Sequence, residues 1–115
     1  MMSASVEPLP PRLSVATRRN DHRLLVTMSG VLDLATRNDL VTTVADAITS
    51  DVDVIQVDAE ELEFCDSTGL SALLGLRRAA GAEGRYLYLT NAQSSVRMVL
   101  ETTGLTVLTE PPPHR

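Results

Sequence analysis

The stretch Val52-Asp53-Val54-Ile55-Gln56-Val57, the acidic run Asp58-Ala59-Glu60-Glu61-Leu62-Glu63, and then Phe64-Cys65-Asp66-Ser67-Thr68-Gly69-Leu70 decide how the chain is read. Val52, Val54, Ile55 and Val57 make the segment from Asp51 to Val57 apolar on both faces, which an interior strand flanked by helices requires. The acidic run reads as a solvated connection. It does not follow EF-hand spacing, and it lacks the glycine such a loop needs, so no metal site is expected in it. Asp66, Ser67 and Thr68 are helix-start residues, whose short side chains accept from amide N–H groups that the first turn leaves unpaired. Gly69 lets that turn close tightly and allows another backbone to come near. Leu70 to Ala80 then reads as a helix with Leu70, Leu73 and Leu74 toward the core, ended by Gly81 and Gly84.

Upstream, Arg12 to Thr17 alternates weakly, with Leu13 and Val15 on one side, as an edge strand does. Arg18-Arg19-Asn20-Asp21-His22 is polar and turn-like. Arg23 to Leu32 is a strong strand carrying Leu24, Val26 and Met28 on one face, so the pair predicts an antiparallel hairpin. After Gly30-Val31-Leu32-Asp33 the period changes, and Leu40, Val41, Val44, Ala47 and Ile48 fall on one helical stripe. Thr36 is the expected cap of that helix, with Asp39 three residues on.

Downstream, Arg85 to Thr90 is a strand. Asn91 or Ser94 opens a third helix with Val96, Val99 and Leu100, which Gly104 closes. Leu105, Val107 and Leu108 predict a short last strand. The order β-β-α-β-α-β-α-β gives an α/β fold: a small mixed sheet, an N-terminal antiparallel hairpin plus parallel strands, packed with three helices. Residues 1–11 are expected to be a disordered lead-in, residues 12–109 the domain, and residues 110–115, with Pro111-Pro112-Pro113, a tail.

Length and composition narrow the function classes. A chain of 115 residues with 43% apolar and 22% charged residues is one ordinary globular domain. With 3% aromatic residues and no Trp, the core must be Leu, Val, Ile, Ala and Met. The net charge of -5, and basic residues that are all Arg in scattered pairs such as Arg18-Arg19 and Arg77-Arg78, argue against nucleic-acid binding. Cys65 is the single cysteine, so no intramolecular disulfide forms and a reducing compartment is expected. The N-terminus is not a signal peptide, and no apolar run approaches the roughly 20 residues that span a bilayer. A cytoplasmic location without membrane contact is the expectation.

Catalytic chemistry finds no foothold. His22 sits in a polar turn and His114 in the tail, neither placed as a general base or ligand. There is no GxGxxG after a strand, no GxxxxGK[ST], and no Cys/His spacing for zinc. Acidic neighbours would raise the Cys65 thiol rather than activate it. No enzyme, cofactor or metal is expected, and on its own Asp66-Ser67-Thr68-Gly69 is only a helix cap.

Four stretches taken in order change that reading. Ser29-Gly30-Val31-Leu32-Asp33-Leu34-Ala35-Thr36 looks like a G-E-L-D-x-A-T segment, with Val31 where Glu or another polar residue is common. Val54 to Asp58 matches a buried strand. Phe64-Cys65-Asp66-Ser67-Thr68-Gly69-Leu70 matches a D-S-[ST]-G-L phosphorylation motif. Asn91 to Val96 and Leu100-Glu101-Thr102-Thr103-Gly104-Leu105 match a third helix and its exit turn. Together they resemble the STAS-domain family of anti-sigma factor antagonists, over roughly residues 12 to 109.

The resemblance implies that Ser67 is phosphorylated by an anti-sigma factor with serine-kinase activity, and that a PP2C-type phosphatase reverses this. Unphosphorylated protein would bind that kinase and free the sigma factor. Thr68 is the rival acceptor; Ser67 is preferred because the motif places the acceptor directly after Asp66. By position Asp33 and Asp66 flank the partner surface, Gly69 allows close backbone approach, and Arg37 and Asn38 share the rim of Asp33. Two alternatives stand beside this: a scaffold subunit of a stress-signalling assembly, and a small-ligand or nucleotide-binding domain using the helix N-terminus at Ser67 as an anion site.

Overall fold

Alternation of apolar and polar side chains along the strands sorts the sheet into a core face and an open face. The computed structural model of the chain describes residues 11–113. Nearly all of the expected lead-in, together with His114 and Arg115, lies outside them. The elements are β1 (Leu13–Asn20), β2 (Arg23–Leu32), α1 (Arg37–Ala47), β3 (Val54–Cys65), α2 (Ser67–Ala82), β4 (Tyr86–Thr90), α3 (Ser94–Thr103) and a 3-10 turn, Thr106–Thr109. The sheet runs β1-β2-β3-β4. β1 pairs antiparallel with β2, and the other neighbours pair parallel. The α/β architecture, the hairpin and the three helices match the sequence expectation.

Leu24, Val26 and Met28 of β2, Ile55, Val57 and Ala59 of β3, and Leu87 and Leu89 of β4 are buried on the core face. Against them pack Leu40 and Val44 of α1, Leu70 and Leu73 of α2, and Val96 and Leu100 of α3, in one continuous cluster. Each Val, Leu, Ile or Met side chain among them contributes about 1.5–3 kcal/mol when fully withdrawn from water. On the open face the Arg23 guanidinium joins Gln56 Oε1 at 2.8 Å and the Tyr88 hydroxyl at 2.9 Å, linking three strands through polar groups.

Several boundaries differ from the sequence reading. The acidic run is not a loop: β3 continues through it to Cys65. Ala59 and Leu62 point into the core while Glu60, Glu61 and Glu63 stay exposed, so the carboxylates are solvated although the backbone is strand. Two register shifts against β2 absorb the broken alternation. The expected last strand is instead the 3-10 turn. Leu108 is buried, but its N–H donates back to the Leu105 carbonyl at 3.1 Å rather than to a neighbouring strand. β1 runs on to Asn20, leaving a two-residue turn in which Asp21 takes φ 60, a conformation Asp tolerates. The third helix starts after Gln93, whose side chain donates to the Glu60 carbonyl rather than capping the helix, and Gly104 closes it at φ 74.

The junction between β2 and α2 fixes the sheet-to-helix geometry. The Asp66 N–H donates to the Leu32 carbonyl at 3.2 Å. A Cβ on Gly69 would lie 2.6 Å from that carbonyl oxygen and 2.9 Å from Cys65 Sγ. Gly75, also in α2, has nothing within 4 Å of such a Cβ. Gly69→Ala is therefore expected to destabilise the fold by roughly 1–3 kcal/mol through overpacking. Gly75→Ala is expected to stabilise it by roughly 0.5–1 kcal/mol through helix propensity. Urea unfolding of both variants checks the contrast.

Candidate functional site

At the end of the sheet where β2 and β3 finish, two short polar segments meet: the turn from Asp33 to Thr36 and the start of α2. Asp33 organises the first. Its Oδ1 accepts from the Ala35 N–H at 3.0 Å and the Thr36 N–H at 3.1 Å, and its other oxygen meets the Arg12 guanidinium at 2.5 Å. Thr36 is the residue preceding α1, as expected, but its hydroxyl does not cap the helix. It donates to the Val31 carbonyl at 2.9 Å and accepts from the Asp33 N–H at 2.9 Å. Thr36 is buried, so its hydroxyl is used to close the turn instead. The Asp33 carboxylate holds the turn that leads into the helix, and α1 has no side-chain cap.

Asp66 organises the second. Its Oδ1 accepts from the Gly69 N–H at 2.9 Å, the expected N-cap bond, and from the Thr68 hydroxyl at 2.6 Å. Ser67, one residue away, is exposed, and among the described residues its hydroxyl enters no hydrogen bond, whereas that of Thr68 is held. The two candidate acceptors are thus in unlike states. Arg37 and Asn38 occupy the first turn of α1. Only the Arg37 backbone reaches this cluster, its N–H donating to the Asp33 carbonyl at 2.9 Å. Asn38 is exposed, and its side chain bonds to none of the other candidates.

Charge in the site follows from these contacts. The Thr68 hydroxyl and the Gly69 N–H hold the Asp66 carboxyl below its usual 3.8, against partial desolvation and the nearby charge of Asp33. For Asp33, desolvation pulls upward, but the Arg12 bond and charge and the Thr36 and Ala35 N–H groups outweigh it and lower the value. Both are carboxylates at neutral pH. Cys65 is buried, and burial together with the Asp66 charge pushes its thiol up to about 12, the behaviour of a core filler rather than a nucleophile. Among the described residues no group of three or more His, Cys, Asp or Glu side chains could hold a metal ion, and no helix is long and apolar enough to cross a membrane.

Arg12 escaped the sequence reading. Nothing local marks it, because its partner is 21 positions away and is brought there by pairing of Leu13 with Gly30. Gly30 makes that approach possible: it takes φ 108, and a Cβ there would meet the Arg12 carbonyl oxygen at 2.1 Å.

A four-stranded mixed sheet, β1-β2 antiparallel and the rest parallel, packed with three helices is a STAS-like fold. A family profile described as "Mlab, STAS domain" matches residues 15–110, and the chain belongs to that STAS family. No curated protein matches it at a significant level. Among solved structures, the anti-sigma factor antagonist SpoIIAA in its unphosphorylated form aligns with TM-score 0.72 at 23% identity, over 88% of this chain and 90% of that one. An anti-sigma factor antagonist from Mycobacterium paratuberculosis gives 0.72 at 20% identity, over 89% and 86%. The phosphorylated form of the Bacillus cell fate determinant SpoIIAA gives 0.61 at 23% identity, over 88% and 93%. At these identities the likeness is one of fold.

Asp66→Ala removes the cap and is expected to cost about 1 kcal/mol at neutral pH. Because the folded-state pKa of Asp66 lies below its unfolded value, its contribution is fully present above about pH 4 and is lost as pH falls through the folded value. Urea unfolding at several pH values should show the gap between wild type and variant closing on the acid side.

Proposed function

We propose that this STAS domain, residues 12–109, is a cytoplasmic anti-sigma factor antagonist, a binding protein rather than an enzyme. Unphosphorylated, it binds an anti-sigma factor that is also a serine kinase, and the sigma factor is freed. Phosphorylation of Ser67 releases the kinase, and a PP2C-type phosphatase restores the binding form. Asp33, Asp66 and Thr68 make the polar rim beside the acceptor, Gly69 lets α2 start close against the end of β2, and Arg37 and Asn38 extend the docking surface along the first turn of α1.

The observation that carries this reading is the difference between two adjacent hydroxyls. Ser67 is exposed and uncommitted among the described residues, while Thr68 is bound to Asp66 at 2.6 Å. A kinase can take the first without breaking a cap. The two SpoIIAA structures, of an unphosphorylated and a phosphorylated form, support a phosphorylation switch on this fold.

Phosphate adds roughly -1.5 to -2 charges at the N-terminus of α2, where amide N–H groups and the helix dipole favour an anion. The fold tolerates it. A partner carboxylate about 5 Å away would oppose each added charge by about 3 kcal/mol at an effective dielectric of about 20. That weakens binding by roughly a hundredfold or more, and repulsion suffices for release.

The test is phosphorylation of the purified chain by the kinase-type anti-sigma factors of its source cell, with the phosphosite mapped by mass spectrometry. Wild type and Thr68→Ala should be phosphorylated at Ser67, and Ser67→Ala should accept no phosphate while still binding the kinase. Ser67→Asp should bind at least about tenfold more weakly. Stoichiometric phosphate on Ser67→Ala would overturn the assignment.

A further inference from the structure

The last residues of β2 and β3 carry an apolar pair that the core does not use. Val31 pairs with Phe64, and Leu32 with Cys65. Leu32 and Cys65 are buried in the core. Side chains alternate along a strand, so Val31 and Phe64 point to the opposite, open face. Phe64, the chain's single Phe, is 49% exposed, and Leu34, two residues past the end of β2, is 61% exposed.

Acid flanks this pair. The register shifts in β3 bring Glu61 opposite Ser29, and Ser29 shares the outward side of β2 with Val31. Glu61 therefore lies on the same face as Phe64, although the two are three residues apart. Glu63 is also exposed, and the neighbouring cation Arg12 is already paired with Asp33. The patch borders the switch: Phe64 precedes Ser67 by three residues, and the Asp66 N–H is bonded to the Leu32 carbonyl.

We propose that Val31 and Phe64, with Leu34 beside them and Glu61 as a charged flank, are the apolar centre of the surface on which the anti-sigma partner docks. The occupant is a protein surface presenting an apolar side chain, with Lys or Arg on the side that meets Glu61 and acid on the side that meets Ser67. Charge complementarity selects it. A second copy, with net charge -5 and the same acidic flank, would set carboxylate against carboxylate. An exposed aromatic ringed by polar groups has the character of an interface anchor. The assignment rests on the partner-switching reading above and adds which residues hold the partner and what that partner must present.

The test uses the full chain and the kinase that phosphorylates Ser67. Phe64→Ala should weaken binding roughly tenfold, the usual loss for a central aromatic contact, at both low and high salt. Glu61→Gln should slow association and flatten its salt dependence while barely changing dissociation. Glu61→Gln replaces a solvated side chain and should keep the wild-type melting temperature; Phe64→Ala gives up the buried half of its ring, so its binding is compared at a temperature where its circular dichroism matches that of wild type. If Phe64→Ala binds within about twofold of wild type while Ser67 is still phosphorylated, the docking surface is wrong and the switch reading stands. If no such kinase phosphorylates Ser67, the switch reading fails and this surface with it. A concentration-dependent dimer abolished by Phe64→Ala would make the patch a self-interface and overturn the proposal.

Discussion

One hydrogen bond and one steric contact join the end of β2 to the start of α2, and the site exists because of them. The Asp66 N–H reaches the Leu32 carbonyl, and Gly69 lies so close to Leu32 that no side chain fits between. A single hydrogen bond of this kind contributes about 1 kcal/mol. Its greater effect is positional, because it sets the Asp33 turn and the Ser67 hydroxyl on one rim. The hairpin supports the same rim from the other side, where Gly30 admits the Arg12 backbone and the Arg12 side chain reaches Asp33.

The electrostatics of the rim are suited to a reversible charge. The helix N-terminus favours an anion at Ser67, and the carboxylates of Asp33 and Asp66 oppose one. A docked partner carrying acid opposite Ser67 would experience only the repulsion. Such a switch needs a stable, preformed helix start, and the Asp66–Gly69 cap provides it without using the Ser67 hydroxyl.

Much of the fold was legible because its signals are local. Leu24, Val26 and Met28 alternate as a strand must, and Asp66 through Gly69 is cap chemistry whatever surrounds it. The structure departs from the local signals where tertiary context overrides composition. Glu60, Glu61 and Glu63 suggested a loop, yet Ala59 and Leu62 anchor the same backbone in the sheet. Leu105 to Leu108 had the composition of a strand, but the backbone closes on itself in a 3-10 turn. At the site, Asp66 as the cap could be read directly. The pairing of Arg12 with Asp33 could not, since it depends on strand register, and the outward direction of Phe64 depends on two register shifts that no short window reveals.

Under the proposed switch, phosphate on Ser67 acts by charge on an unchanged scaffold. Amide chemical shifts of the chain before and after stoichiometric phosphorylation test it most directly. Changes should be confined to the Gly30–Arg37 turn and the Phe64–Leu70 junction, with the amides of Leu24–Met28, Ile55–Val57 and Leu87–Leu89 unmoved. Widespread shifts through those core strands would contradict it, and would mean that release proceeds through a rearranged fold.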